Sequence, residues 1–351
     1  MSRFHRLKVV NINRKTPTAV TVTMGIPDDL KDNYTFKAGQ YITLKTILGG
    51  EEVRRDYSIC SAPNSGEITV AVKEVKDGLF SKYINQDLKV GDVIEVTDPN
   101  GRFIFEPNAS LSRNIVAFTA GSGITPIMSI IKTVLTQEPQ SKIHVLFGNS
   151  SKSETIFYNE LVSLAEQFPG RFNLKFIFSQ EDQDGALFGR IDRGKAFYFL
   201  NSLDGIEPDL YYLCGPEQMI YTVSDALTEK GINKDKIKFE LFTIKLDSEE
   251  TVESSIPEGK TEVTIMLDDE ETTFIMDADQ SVLGAALKQK LDPPYSCQGG
   301  ICSSCIARIS EGEVKMRKNS ILTDGEIEEG LVLTCQSHPV TPKIYINYDD
   351  V

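Results

Sequence analysis

Residues 293–307 read PPYSCQGGICSSCIA, and the fold of the chain is worked out from them. Cys297, Cys302 and Cys305 stand at C-x4-C-x2-C spacing, and Cys335 follows after 29 intervening residues, in the stretch 331–339, LVLTCQSHP. Three thiolates on one tight loop and a fourth from a distant strand form the ligand pattern of a plant-type [2Fe-2S] cluster. Gly299 and Gly300 let the backbone wrap close to such a group. A structural zinc site usually shows two paired C-x2-C knuckles, a different spacing, and inert buried thiols need no spacing at all. His5, His144 and His338 are the only histidines. Just the last lies near a ligand cysteine, so the two-histidine Rieske arrangement does not fit.

A chain of 351 residues is too long for one ordinary core, which predicts two or three domains. Hydrophobic residues make up 40% and charged residues 25%, the balance of a soluble globular protein. No apolar run approaches the roughly 20 residues of a membrane span, and MSRFHRLKVV lacks the apolar core of a signal peptide. Six cysteines with four committed to metal argue for a reducing compartment, hence the cytoplasm. The net charge of −14 is uneven: residues 246–351 hold 21 Asp and Glu against 8 Lys and Arg, leaving 30 against 29 elsewhere. That acidity serves solubility, or presents a docking surface to a positively charged redox partner. It speaks against nucleic acid as a partner.

Outward from the cysteines, residues 260–351 carry TEVTIMLD and ETTFIMD as strands, SVLGAALKQK as a helix, and CIARISEGEV and KIYINY as further strands. Strands clasping one helix predict the α+β β-grasp fold of small ferredoxins. Residues 246–259 are polar and acidic and read as a linker. Residues 1–110 alternate short β-rich runs with turn signals such as Gly49-Gly50 and Pro99-Asn100-Gly101, predicting an antiparallel barrel with one helix near Leu79 to Gln86. Over 111–245 the rhythm becomes strand, helix, strand, beginning with the apolar run RNIVAFTA. That is the pattern of a doubly wound α/β nucleotide-binding domain.

Four motifs carry chemistry. Arg55-Asp56-Tyr57-Ser58 offers a cation, an aromatic face and a hydroxyl along one strand, with Arg55 and Tyr57 on the same face. A flavin needs these for its pyrophosphate, its ring system and N5; an ordinary strand edge also satisfies the tetrapeptide. Gly78 and Ser81, in Asp77-Gly78-Leu79-Phe80-Ser81, open the predicted helix, where amides and a hydroxyl can hold phosphate oxygens or simply cap a turn. Gly121-Ser122-Gly123-Ile124-Thr125-Pro126 lies between strand and helix, where free amides attract a pyrophosphate. Leu213-Cys214-Gly215-Pro216 ends a later strand at the same sheet edge. Cys214 there is a buried strand-end cysteine or a neighbour of bound nucleotide.

Taken together, RDYSIC (55–60), DGLFSKYINQDLKVGD (77–92), GSGITP, FGNSSKSETIFYNEL (147–161), YLCGPEQMI (212–220) and KFELF (238–242) resemble the ferredoxin-NADP reductase superfamily. The domain order is that of its three-domain oxygenase-reductase branch, and the segments are most similar to the reductases of phenylacetyl-CoA epoxidase complexes. The resemblance implies FAD on Arg55, Tyr57, Ser58, Gly78 and Ser81. It implies a nicotinamide cofactor on Gly121, Gly123, Thr125, Cys214 and Gly215, with Glu240 and Phe242 near the flavin. Ser58, Cys214 and Glu240 stand as the catalytic candidates, and Cys297, Cys302, Cys305 and Cys335 as the metal ligands.

One departure concerns the cofactor. Similar reductases often carry arginines for the 2′-phosphate of NADP where this chain has Ser150 and Gln180. Lys152 and the hydroxyls of Ser150, Ser151 and Ser153 remain to receive that phosphate, without the bidentate fork of arginine. The expectation is NADPH, with NADH as the alternative. The resemblance implies electron flow from nicotinamide through FAD and the cluster to an oxygenase, expected to be the di-iron phenylacetyl-CoA epoxidase. The alternatives are a Rieske dioxygenase or another hydroxylase as partner, an FMN-type reductase, and a non-catalytic redox-sensing protein.

Overall fold

The computed structural model describes residues 4–203, 205–242 and 259–351. Phe4–Phe242 form one compact unit, and the residues from 259 onward belong to a second. The predicted linker, apart from Gly259, lies outside the described residues.

The first unit opens with six antiparallel strands: β1 (Phe4–Thr16), β2 (Ala19–Gly25), β3 (Tyr41–Leu48), β4 (Glu51–Ser58), β5 (Ile68–Lys73) and, after helix α1 (Leu79–Gln86), β6 (Val93–Thr97). They run in the order β4-β3-β6-β1-β2-β5, and a bridge between Ile59 and Val70 closes the ring into the expected barrel. Gly49 and Gly50, both at positive φ, make the two-residue turn that puts Leu48 opposite Glu51. The register of that hairpin sets Tyr41 against Ser58. Leu7, Val9, Val22, Ile42, Leu44 and Val70 fill the interior, and Phe80 and Ile84 of α1 pack against them.

A parallel sheet follows, from β7 (Asn114–Ala120), α2 (Ile124–Gln137), β8 (Lys142–Asn149), α3 (Tyr158–Gln167), β9 (Phe172–Phe178), β10 (Leu187–Phe188), α4 (Arg193–Asn201), β11 (Leu210–Gly215), α5 (Glu217–Glu229) and β12 (Ile237–Leu241). The order β10-β9-β8-β7-β11-β12 is doubly wound, with its switch point between β7 and β11. Two details differ from the sequence reading. Helix α3 starts at Tyr158 rather than at Glu154, where the run ETIFYNELVSLAEQF (154–168) predicts a helix to begin, because Phe157 adopts φ +64, a conformation that no α-helix propagates. Edge strands β10 and β12 and helix α4 were not foreseen: β10 has two residues, and α4 has little apolar periodicity, being started by the Asp192 carboxylate capping the Lys195 amide.

The second unit contains β13 (Lys260–Leu267), β14 (Glu270–Asp277), α6 (Val282–Lys288), β15 (Ile306–Glu311), β16 (Val314–Met316), α7 (Asp324–Glu328), β17 (Leu331–Leu333), β18 (Ser337–Pro339) and β19 (Lys343–Asn347). The mixed sheet β14-β13-β19-β15-β17 carries α6 against its apolar face, as the β-grasp expectation requires. Ser281 caps α6 by accepting the Gly284 amide. The short β16–β18 ribbon is an addition to the expected strands. Cys335 sits in the turn between β17 and β18, not on a strand as the sequence reading had it. A turn leaves its thiol free of the alternating strand faces.

Candidate functional site

The flavin candidates lie at the end of β4. Arg55 is exposed, Tyr57 half-buried and Ser58 buried. Tyr57 is held by Phe80 of α1, ring centroids 6.0 Å apart, and burial pushes its phenol far above its ordinary range. Ser81 is engaged inside its own turn: its hydroxyl accepts the Val75 amide at 3.0 Å and donates to the Gly78 carbonyl at 3.3 Å. It therefore shapes the entry to α1. A methyl on Gly78 would stand 2.7 Å from that hydroxyl.

The barrel end is pinned to the nucleotide sheet directly beside Ser58. Ser129 of α2 donates to the Ser61 carbonyl at 2.7 Å, and the Lys132 ammonium reaches the Cys60 carbonyl at 3.3 Å. On the other side, Ser58 donates to the Glu240 carboxyl at 3.3 Å. Cys214 and Glu240 are register partners across β11 and β12, so all three catalytic candidates meet at one point. Burial, then the Glu240 charge, raises the Cys214 thiol well above its ordinary value. Glu240 keeps some exposed surface but is ringed by protein. Burial pushes its carboxyl up to about 8, against the Ser58 hydrogen bond and with a smaller contribution from Asp56. Such a carboxyl holds a proton at neutral pH. Phe242 follows it and packs against the core of the parallel sheet.

The glycine loop is open on one side and closed on the other. Gly121, at φ +56, has no atom within 4 Å of where a Cβ would stand, whereas at Gly123 that atom would lie 2.2 Å from the Cys214 carbonyl oxygen. Only glycine at 123 lets the loops after β7 and β11 close together, and the open side at Gly121 leaves the space a pyrophosphate needs. Thr125 donates to the Ser122 carbonyl at 3.0 Å, and Gly215 turns at the head of α5. The residues thus fit a dinucleotide. Sequence reasoning missed Thr119 Oγ1 and Asn149 Nδ2, buried polar atoms near the ends of β7 and β8 with no hydrogen-bond partner among the described residues. Both are hidden in apolar strands, and no local signal marks them.

The two positions flagged for cofactor choice come together: the Gln180 amide donates to the Ser150 carbonyl at 2.9 Å. Glu181 was also missed; its carboxylate accepts the Lys152 amide at 2.7 Å, while the Lys152 ammonium lies 4.7 Å over the Tyr158 ring. Glu181 follows Gln180 directly, so the signal was an acidic residue three positions past the end of β9.

In the second unit the four cysteines converge as two pairs. Cys297 is a hydrogen-bond neighbour of Cys302, and Cys305 of Cys335. Cys302 as a donor, with the amides of Gly299, Ile301 and Cys302, draws the Cys297 thiol down to about 6. Cys335 is likewise lowered by Cys305, whose own thiol is raised in turn. No three Cys, His, Asp or Glu side chains among the described residues gather closely enough for a single metal ion. Two thiolate pairs are what a two-iron cluster takes, one pair per iron. Gly300, at φ +72, brings the loop to within 2.7 Å of the Lys318 carbonyl, measured from where its Cβ would stand. The cysteine loop therefore has both the donors and the close approach that such a cluster needs.

Comparison with known proteins agrees in each part. Residues 17–105 match the family described as oxidoreductase FAD-binding domain, 118–225 the oxidoreductase NAD-binding domain, and 265–340 the 2Fe-2S iron-sulfur cluster binding domain. The chain is 37% identical over 352 residues to a component of the 1,2-phenylacetyl-CoA epoxidase of Escherichia coli K12, covering 99% of each. It is 30% identical to the ferredoxin reductase component of 3-ketosteroid-9-alpha-monooxygenase from Rhodococcus rhodochrous, covering 99% of this chain and 97% of that one. Among solved structures, phthalate dioxygenase reductase shares the fold over 98% of both chains, with a TM-score of 0.62 at 22% identity. A self-sufficient cytochrome P450 monooxygenase shares it over 98% of this chain and 41% of its own, with a TM-score of 0.71 at 22% identity. No helix of the described residues is long and apolar enough to cross a membrane. With its FAD-binding, NAD-binding and 2Fe-2S domains in one chain and full-length relatives of the same build, the protein belongs to the family of three-domain oxygenase reductases, which are oxidoreductases.

Proposed function

We propose that this protein is the reductase component of a di-iron oxygenase of the phenylacetyl-CoA epoxidase type, acting in the cytoplasm. The observation that carries the reading is the meeting of Ser58, Cys214 and Glu240 where the barrel end joins the switch point of the nucleotide sheet. A group held by the barrel and one held by the sheet would be brought together there. The full-length similarity to the epoxidase component supports the choice of oxygenase, and six cysteines with no disulfide among the described residues suit a reducing compartment.

In this reading residues 1–110 hold FAD, 111–245 the nicotinamide dinucleotide and 260–351 the cluster. When bound, these groups supply hydride acceptance and one-electron release. Arg55 offers the flavin pyrophosphate a cation, Tyr57 offers its ring face, and Gly78 leaves room at the head of α1. The amides from Gly121 to Thr125, with Gly215 opposite, receive the dinucleotide pyrophosphate. Cys214, buried at the end of β11, would help keep water from a nicotinamide held at that sheet edge. Ser58 orients the Glu240 carboxyl, which holds a proton at neutral pH close to the reacting atoms. Cys297 with Cys302, and Cys305 with Cys335, would hold the cluster. Ser150 and Lys152 border the ribose of the dinucleotide.

The test is anaerobic reduction by NADPH and, separately, by NADH, followed at flavin and cluster wavelengths. Both chromophores should bleach, and electrons should pass on to a purified epoxidase oxygenase component. Flavin bleaching with a cluster that stays oxidised would defeat the electron path, and transfer only to a Rieske oxygenase would defeat the choice of partner.

A further inference from the structure

Thr334 stands between the end of β17 and Cys335, and each of its polar groups is engaged. Its N–H and its hydroxyl both donate to the Cys305 carbonyl, at 3.1 and 3.0 Å. Its own carbonyl accepts the Leu283 N–H at the head of α6, at 3.1 Å. The hydroxyl oxygen also meets the phenol of Tyr348, at 2.8 Å. Because the Cys305 carbonyl can only accept, the one proton of the Thr334 hydroxyl is committed to it, and the phenol is the donor in the remaining bond. Tyr348 follows β19, its N–H donates to the Met266 carbonyl at 3.0 Å, and the residue belongs to the core formed by β13, β19 and α6. Thr334 is fully buried and Tyr348 is 6% exposed.

An unbroken chain of hydrogen bonds therefore runs from the sheet core through Tyr348 and Thr334 to the backbone of one cysteine, and Thr334 is joined by a peptide bond to another. It reaches Cys305 and Cys335, the buried pair, whereas Cys297 and Cys302 are only half-buried. Groups that hold metal ligands from behind fix their orientation and strengthen the grip on the metal. A ligand pair held in one geometry also keeps that geometry as an electron arrives and leaves. Tyr348 and Thr334 are both neutral, so this hold is geometric and adds no charge beside the cysteines.

We propose that Tyr348 is a positioning residue for the cluster, acting through the Thr334 hydroxyl to hold Cys305 and Cys335 at one separation. The proposal rests on the reading of the four cysteines as a [2Fe-2S] site. Tyr348→Phe keeps the ring in its core and removes only the O–H. Thr334→Val keeps the shape and removes both hydroxyl bonds, whereas Thr334→Ser keeps them. The full-length proteins, isolated anaerobically, are compared by the EPR line width of the dithionite-reduced cluster, which reports the spread of cluster geometries, by timed iron release to a chelator, and by urea unfolding. Thr334→Val should broaden the EPR lines and release iron about tenfold faster. Tyr348→Phe should broaden them less and release iron about threefold faster, as the loss of one hydrogen bond implies. Thr334→Ser should match the unaltered protein. An unchanged line width in Tyr348→Phe overturns the proposal, even where urea stability falls, since the phenol would then support only the fold. Broadening in Thr334→Ser as large as in Thr334→Val overturns it too. Tyr348→Phe carries the test by itself where Thr334→Val holds no cluster. Absence of a [2Fe-2S] signal from the unaltered protein would instead defeat the reading of the cysteines.

Discussion

Replacing Glu240 by Gln removes one titration and leaves the shape of the site. With its carboxyl at about 8, Glu240 is protonated about tenfold over its ionised form at pH 7, and ionised in about the same excess at pH 9. The rate of flavin reduction by nicotinamide should therefore fall along an alkaline limb centred near pH 8, as a negative charge develops beside the atoms receiving hydride. Stability should follow the same group. The folded protein binds this proton more tightly than the unfolded chain, so the stabilisation is fully present below the ordinary glutamate value of 4.5 and is lost as pH rises through about 8. At full burial the loss would be roughly 5 kcal/mol, and about half that after allowance for the exposed part of the side chain. Stopped-flow reduction from pH 6 to 9.5 and urea unfolding at pH 5.5 and 8.5 measure the two effects. Glu240→Gln should flatten the limb and narrow the stability difference. If the variant retains the same alkaline limb, Glu240 is not the group that titrates.

Three further outcomes follow from other parts of the molecule. Cys335→Ser should abolish the cluster absorbance while reduction of the flavin by nicotinamide continues, because Ser58, Cys214 and Glu240 all belong to the first unit and Cys335 to the second; visible spectroscopy with single-turnover kinetics reads both. Glu138→Ala should cost about 3–5 kcal/mol in urea unfolding, since its fully buried carboxylate accepts from Arg113 at 2.7 and 2.5 Å, from Ser141 at 2.5 Å and from the Asn108 amide at 3.0 Å. Gly123→Ala should lose nucleotide binding by at least tenfold in a titration calorimeter, because its Cβ would sit 2.2 Å from the Cys214 carbonyl oxygen and force apart the loops after β7 and β11; unchanged affinity would show that those loops do not form the site.

Helix α1 forms at Leu79–Gln86, where the sequence places it, because Gly78 and the buried pair Phe80 and Ile84 mark its start and inner face. Edge strand β12 was not legible as a strand, since KFELF lacks the continuous apolar run of its inner neighbours. Its role was nonetheless decisive, because its register places Glu240 beside Cys214. Ser81 looked like a phosphate ligand by position, yet its hydroxyl is occupied by its own turn, a preference of short polar side chains that spacing cannot weigh. Glu181 and Thr334 passed unremarked because each acts on a loop distant in sequence: Glu181 on Lys152, and Thr334 on Cys305.

The sequence by itself determined the cysteine spacing, the three-part architecture and the glycine loop. Each of these depends on local spacing and periodicity: thiolates at C-x4-C-x2-C, a change from short alternating runs to strand and helix, and glycines between strand and helix. Only the tertiary structure decided which distant groups meet. Ser58 and Glu240 are 182 residues apart in the chain, yet lie within hydrogen-bond reach. The carboxyl pKa of about 8 exists only because the barrel end and the sheet edge together exclude water from it. The pairing of Cys297 with Cys302 and of Cys305 with Cys335 is likewise a product of folding, since spacing counts four cysteines and only the packed loop sorts them into pairs.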